Sequence, residues 1–247
     1  MSAVRPTRRS ARRHTARVTL KLLDSFALFR EGAEVAVPMS AQRVVAFVTL
    51  QRRPVLRRYV AGSLWLDASE ERAHANLRSA LWRLHRCGLQ PVAVDDQQLR
   101  LADGVEVDFY EAQAAARRAL VAPPEEVVDI DPSELAGDLL PDWYEDWSLL
   151  EREHHRQMRL LALDTVCDRL LEAGRLSEAL TAGLVAVAAD PLRESGHRAV
   201  VRAYLAGGNT GEAIRQYGLC RRLLGDRLGL EPSEQMRELI GGLETGR

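Results

Sequence analysis

Residues 71–88, ERAHANLRSALWRLHRCG, carry side chains that can recognise the edges of DNA bases. Arginine donates paired hydrogen bonds to guanine, and asparagine does the same to adenine, so a helix exposing both can read sequence in the major groove. DNA contact is therefore one interpretation of this helix, and its position among the neighbouring elements decides in favour of it. The candidate residues on its polar face are Arg72, Asn76, Arg78, Ser79, Trp82, Arg83 and Arg86.

The other face of the same stretch explains why it should be helical. Leu77, Leu81 and Leu84 recur every three or four residues, and at about 100° per residue they form one apolar stripe together with Ala73. An ordinary solvated helix would show the same stripe and the same arginines, so that alternative stays open on pattern alone. Trp82 argues against it, because a large exposed aromatic side chain usually contacts a partner.

Patterns for catalysis or metal binding are weak in this sequence. It contains no phosphate-binding glycine motif and no nucleophile elbow. His154 and His155 are adjacent on a predicted helix, so their side chains point about 100° apart and do not suit one metal ion. Cys87, Cys167 and Cys220 are scattered, as expected of buried thiols in a reducing cytoplasm. We therefore expect no enzyme activity, no metal and no cofactor.

The segments before this helix predict the elements that position it. Short apolar runs between residues 18 and 37 indicate strands. Ser40 is the expected N-cap of a first helix, and a second helix is expected at 57–66. Ser69 should cap the candidate recognition helix, with Gly88 just beyond its C-terminal end.

A two-stranded hairpin should follow, because the apolar runs PVAV and LRL flank a polar turn at 95–98. Three helices and then a hairpin is the order of a winged helix-turn-helix. In that frame Arg57 and Arg58 begin the second helix, where side chains and backbone amides can both contact phosphate. Arg100 lies on the hairpin, whereas Asp95 and Asp96 put negative charge at its tip and favour shallow insertion.

The remainder of the chain is predicted to be helical. A helix is expected at 108–120, and the acidic stretch from Pro123 to Glu134 is expected to be a linker or exposed loop. LEAGRLSEAL (171–180) and LAGGNTGEAI (205–214) align at an offset of 34 residues, the period of tetratricopeptide (TPR) helical hairpins. Between these repeats, Asp190 and Pro191 are the expected N-cap and first residue of a helix.

Charge divides the chain into a basic front and an acidic rear. Residues 1–107 hold 18 basic and 10 acidic side chains, whereas residues 108–247 hold 16 basic and 25 acidic ones. Residues 1–17 contain six arginines and no acid, which predicts a disordered basic arm. No apolar run is long enough to cross a membrane, so we expect a cytoplasmic protein.

The ordered motifs resemble the Streptomyces antibiotic regulatory protein (SARP) family. The resemblance rests on MSAQRVVAFVTL, YVAGSLW, LRSALWRLHR and VEVDFYEAQ in the first half, and on LLPDWYEDW, ADPLRESGHRAVVRAYLAGGNTGEAIRQY and LGLEPSEQMREL in the second. It implies an OmpR-like winged helix joined to a bacterial transcriptional activator domain of TPR-like helices. The recognition helix would span 70–87, with Arg78 and Arg83 in matching polar positions. Trp82 and His85 depart from the family pattern.

The resemblance further implies a transcriptional activator of specialised-metabolite genes that binds repeats in double-stranded promoter DNA. Its implied partners are the sigma and alpha subunits of RNA polymerase and a second copy of itself on DNA. The expected fold is mainly α with a small β component, with a winged-helix DNA-binding domain at 18–107 and an all-α domain at 108–247. The alternative is a TPR-type adaptor that retains the winged helix for structure or dimerisation.

Overall fold

A computed structural model of the protein describes residues 17–244, without the side chains of the last three, and divides the chain into two compact units. Among the described residues, one unit holds 17–20 together with Ala27–Glu106, and the other holds Lys21–Phe26 together with 107–244. Residues 1–16, most of the predicted basic arm, lie outside the described residues. The predicted fold class, mainly α with a small β component, is confirmed.

The first part of the chain is a winged helix-turn-helix. Its elements in chain order are β1 (Val18–Lys21), β2 (Ala27–Arg30), β3 (Ala33–Glu34), α1 (Met39–Gln51), β4 (Val55–Leu56), α2 (Arg57–Leu64), α3 (Glu70–Arg86), β5 (Val92–Asp95), β6 (Gln98–Leu101) and β7 (Val105–Val107). One sheet has the strand order β3-β2-β1-β7, and a second has the order β4-β6-β5.

The wing has one strand more than the sequence predicted. Val55 pairs with Leu99 and Leu56 with Gln98, so β4 adds to the hairpin of β5 and β6 as an antiparallel neighbour. A two-residue strand directly after Pro54 is too short to show the alternation by which strands are recognised.

The core of this unit joins the three helices to the wing. Helix α1 packs against α2, α3 and β6. Phe47, Val60, Leu77 and Leu99 are all buried and represent α1, α2, α3 and β6 in that core. Burial of these side chains from four elements fixes the place of α3 in the unit.

The second unit consists almost wholly of helices. Its elements after residue 107 are α4 (Asp108–Val121), α5 (Pro124–Val127), a 3₁₀ turn (Pro132–Leu135), α6 (Asp146–Glu172), α7 (Leu176–Ala189), α8 (Glu194–Ala206), α9 (Thr210–Leu228) and α10 (Glu234–Glu244).

The 34-residue repeat corresponds to two successive helical hairpins, α6–α7 and α8–α9. Gly174 and Gly208 occupy the equivalent turns with φ of +74° and +73°, a conformation that favours glycine. Ala179 and Ala213 occupy equivalent buried positions on α7 and α9. Each helix packs against the next along the chain, as in TPR arrays.

The prediction of a linker or exposed loop at 123–134 is wrong. Residues 124–127 form α5, and the 3₁₀ turn begins at Pro132. Val127, Ile130 and Leu135 are buried in a core shared with α4, α6 and α7. These three apolar side chains anchor the stretch, although five of the twelve residues at 123–134 are acidic.

Two predicted helix caps are also wrong. Helix α1 begins at Met39 after Pro38, so Ser40 lies inside its first turn. Asp190 ends α7 rather than starting α8, which begins at Glu194. A capping type of residue close to a boundary does not by itself decide which backbone amide it can reach. Across residues 17–244 no helix combines the length and apolar character that a membrane span requires.

Candidate nucleic-acid interface

Helix α3 is fixed at its start by a cap and by contacts of the preceding turn. Ser69 Oγ accepts a hydrogen bond from the backbone N–H of Arg72 at 3.4 Å, which confirms the predicted N-cap. Arg43 on α1 donates to the carbonyl of Leu64 at 2.7 Å, where α2 ends. Its guanidinium also lies 6.0 Å from the ring centroid of Trp65. The turn from α2 to α3 is therefore held from α1.

The buried face of α3 differs from the predicted leucine stripe. Ala73, Leu77, Ala80 and Leu84 are buried, whereas Leu81 is half-buried. Ala80 therefore occupies the place on the core face that the pattern assigned to Leu81. The predicted stripe is therefore wrong at this one position.

This small rotation determines which side chains of α3 point away from the core. At about 100° per residue, Ala75 and Trp82 lie within about 10° of the direction opposite the buried face, Arg86 lies about 30° from it, and Ser79 and Arg78 lie about 50° to either side. Ala75, Ser79, Trp82 and Arg86 follow one another at helical spacing, and this line of α3 is here called the outer ridge. Glu71 lies near its N-terminal end.

The predicted contact residues are divided between this ridge and its two flanks. Trp82 is 57% exposed, and the guanidinium of Arg86 lies 4.9 Å from its ring centroid. Arg78 is exposed on one flank and Arg72 on the other. Asn76 is half-buried, about 110° from the outward direction, so it is the least accessible of the predicted set.

Arg83 lies on the same flank as Arg72 and contacts the first helix. Its Nη1 donates to Ser40 Oγ at 3.0 Å. The hydroxyl leaves the positive charge of Arg83 uncompensated while restricting the side chain. Ser40 is thus a positioning residue that the sequence pattern assigned to a cap.

Arginines of the two units differ in their partners. Among residues 17–244, no arginine of α2 or α3 forms an ion pair with a carboxylate. In the second unit, by contrast, most arginines do; the pairs involve Arg118, Arg156, Arg159, Arg169, Arg175, Arg193, Arg198, Arg202, Arg215 and Arg221. The positive charge of α2 and α3 is therefore available to an external anion.

The start of α2 supplies fewer donors than the sequence suggested. The backbone N–H of Arg57 donates to the carbonyl of Gln97 at 2.8 Å, so it cannot also contact phosphate. This bond ties α2 to the turn of the wing, and the Arg57 side chain is half-buried. Arg58 is exposed and remains a candidate for phosphate contact through its side chain.

Arg100 on the wing is neutralised within the unit. Its guanidinium donates two hydrogen bonds to the Asp103 carboxylate, at 2.7 and 3.1 Å. Hydrogen bonding to Arg100 lowers the pKa of Asp103, which keeps the pair ionised. The wing tip around Asp95 and Asp96 is exposed, so the wing presents no free positive charge next to α3.

His155, Cys167 and Cys220 are buried side chains whose pKa values are shifted. His155 is buried, and burial lowers its pKa to about 4. Burial raises the pKa of the Cys167 thiol to about 12 and that of Cys220 to about 11, whereas Cys87 is half-buried. The part of the chain that the structure describes contains no group of three or more His, Cys, Asp or Glu arranged to bind a metal ion.

Comparisons with known proteins place both units in a regulatory context. Residues 107–243 match the family model of the bacterial transcriptional activator domain. Regulatory protein AfsR of Streptomyces coelicolor is 28% identical over 236 residues, which cover 85% of this chain and 22% of AfsR. AfsR of Streptomyces griseus is 34% identical over 89 residues, 36% of this chain and 9% of that protein. The chain thus spans about a fifth or less of the length of these relatives.

A solved structure shares the fold over nearly the whole chain. Mycobacterium tuberculosis EmbR, in complex with a low-affinity phosphopeptide, superposes with a TM-score of 0.68 at 20% sequence identity. The match covers 94% of this chain and 66% of that one. Because the family model covers more than half of the sequence, the protein belongs to the bacterial transcriptional activator domain family, and the predicted resemblance to SARP-type regulators is confirmed.

Proposed function

We propose that this protein is a sequence-specific DNA-binding transcriptional activator whose helix α3 enters the major groove. The observation that carries the proposal is the exposed face of α3, where the arginines form no ion pair with any described carboxylate. Duplex DNA supplies the missing negative charge, because its phosphates neutralise arginines and release condensed counterions.

Different parts of the α3 surface have different tasks in this proposal. The flanking residues Arg72 and Arg78 point to opposite sides of the outer ridge, which suits contacts to the two phosphate backbones that border the groove. Arg58 adds a phosphate contact from α2. The outer ridge itself, with Arg86 at its C-terminal end, faces the base edges, and Glu71 can accept a hydrogen bond from cytosine at the other end.

The wing contributes little to affinity in this proposal. Arg100 is already paired with Asp103, and the exposed tip carries Asp95 and Asp96. Insertion of this tip between phosphates would bring like charges together, so the wing stays shallow.

The second unit is the proposed protein-contact domain. By resemblance to SARP-type regulators, it recruits RNA polymerase through the sigma and alpha subunits and pairs protomers on repeated promoter sites. The regulated genes are proposed to be a specialised-metabolite cluster, and the protein to act in the cytoplasm without a metal or cofactor. TPR-like hairpins expose long helical surfaces, a form suited to such contacts.

The deciding experiment compares specific with random DNA. Fluorescence anisotropy should detect binding to the duplex upstream of the protein's own gene at about 150 mM salt, near physiological ionic strength, and weaker binding to a scrambled duplex of the same composition. Arg78→Ala and Arg72→Ala should both weaken binding. Equal affinity for the two duplexes would refute the activator mechanism and favour the adaptor alternative, which the acidic wing tip supports.

A further inference from the structure

We propose that Trp82 is the specificity-determining residue of α3 and that it recognises the C5 methyl group of a thymine in the major groove. This inference rests on the proposed DNA-binding function and adds the base class that the outer ridge reads.

Position on the helix is the first argument. The buried face of α3 centres on Leu77 and Ala80, so Trp82 lies within about 10° of the direction pointing straight away from the core. A helix that docks with its outer ridge toward the groove floor brings this indole to the base edges. Ala75 and Ser79, the preceding ridge residues, are small and allow that approach.

The state of the side chain is the second argument. Trp82 is 57% exposed. Burying this aromatic side chain in the core would stabilise the folded protein by several times RT, so folding alone does not explain its exposure. Its one described ring partner is Arg86, whose guanidinium lies 4.9 Å from the ring centroid and adds a cation–π attraction. Arg86 thus restrains the indole from one side, while the rest of the ring stays open to a ligand.

The chemistry of the groove then selects the base. Indole has one N–H donor and no acceptor, so it cannot form the paired hydrogen bonds that distinguish guanine or adenine. Thymine is the base that presents an apolar group in the major groove. Contact between the Trp82 ring and this methyl removes apolar surface from water on both sides.

Charge favours DNA over a protein partner as the occupant of this surface. Arg78 and Arg86 lie about one helical turn before and after Trp82, and neither has a carboxylate partner among the described residues. An apolar contact placed within uncompensated positive charge matches a thymine methyl flanked by phosphates. A protein partner would need an acidic rim around an apolar pocket.

The test uses uracil, which differs from thymine at this edge by the methyl group alone. Binding sites are first selected from random duplex DNA with the wild-type protein, and each selected thymine is then replaced singly by uracil. At one position the replacement should weaken binding of the protein about three- to fivefold, which is the contribution expected of one buried methyl group. In Trp82→Ala the same replacement should have no effect, while Trp82→Phe should retain part of it.

A matched control is Tyr144→Ala, which removes an exposed aromatic side chain of the second unit. It should keep the full uracil effect, and circular dichroism should show that Trp82→Ala remains folded. Selective binding with no uracil effect, or with an effect that Trp82→Ala retains, overturns the thymine inference and leaves the proposed function standing. Failure of the wild type to select any sequence overturns both.

Discussion

The salt dependence of DNA binding tests the uncompensated charge of α2 and α3 directly. Six arginines on these helices lack an acidic partner within the described chain, and each phosphate contact contributes about 0.9 to the slope of log K against log salt. The proposed phosphate contacts are Arg58, Arg72 and Arg78, and these three give a slope of about −2.7, so that doubling the salt weakens binding about sixfold. Arg78→Ala should reduce the slope by about 0.9, so that doubling the salt then weakens binding about 3.5-fold.

Anisotropy titrations between about 50 and 200 mM potassium chloride measure this slope for each variant. The matched control is the double variant Arg100→Ala with Asp103→Ala, which removes a neutral pair and leaves the net charge unchanged. Its slope should stay within about 0.2 of the wild type, since no counterion-releasing charge is lost.

Two results would refute this reasoning. If Arg78→Ala shows the wild-type slope, the exposed guanidinium does not contact phosphate. If the double variant lowers the slope as much as Arg78→Ala does, the Arg100–Asp103 pair opens on DNA and the wing contributes to binding. The second result would correct the proposed shallow wing while preserving the role of α3.

Three further predictions concern the second unit. Gly183→Ala should destabilise the protein to urea by about 1–3 kcal/mol, because the added Cβ would lie 2.8 Å from Cγ2 and 3.2 Å from the backbone N of Val200. Between pH 7 and pH 5 the wild type should lose about 2 kcal/mol more unfolding free energy than His155→Gln, because burial holds the folded-state pKa of His155 near 4 and the unfolded chain takes up the proton first. Native Cys167 should resist iodoacetamide at pH 8, because burial raises its pKa to about 12, and should react in urea.

Each of these predictions has its own control. Gly225 lies in α9, where an added Cβ would meet open space, so Gly225→Ala should stabilise by up to about 1 kcal/mol through helix propensity alone. If Gly183→Ala and Gly225→Ala change the free energy of unfolding equally, then α7 and α8 can move apart and accommodate the added Cβ at Gly183 without cost. Parallel pH profiles for the wild type and His155→Gln, or rapid labelling of native Cys167, would mean that those side chains reach solvent in the folded state.

Local patterns in the sequence predicted the elements whose signals lie within one helix or one turn. Ser69 capped α3 as expected, and the 34-residue offset located the two helical hairpins. Such signals depend on hydrogen bonds between residues close in sequence and on one apolar helix face. Both can be recognised from a short stretch of sequence. The family resemblance added the order in which these elements are joined.

Packing decided the features on which function depends. The leucine pattern could not show that Ala80 faces the core in place of Leu81, because that choice depends on how α3 packs against α1 and α2. Nor could it show that Arg100 is neutralised by Asp103 or that Arg83 reaches Ser40, 43 residues away. The sequence by itself determined that a helix rich in arginines follows two other helices. The tertiary structure decided which of those arginines remain free of acidic partners and that Trp82 lies opposite the buried face of α3.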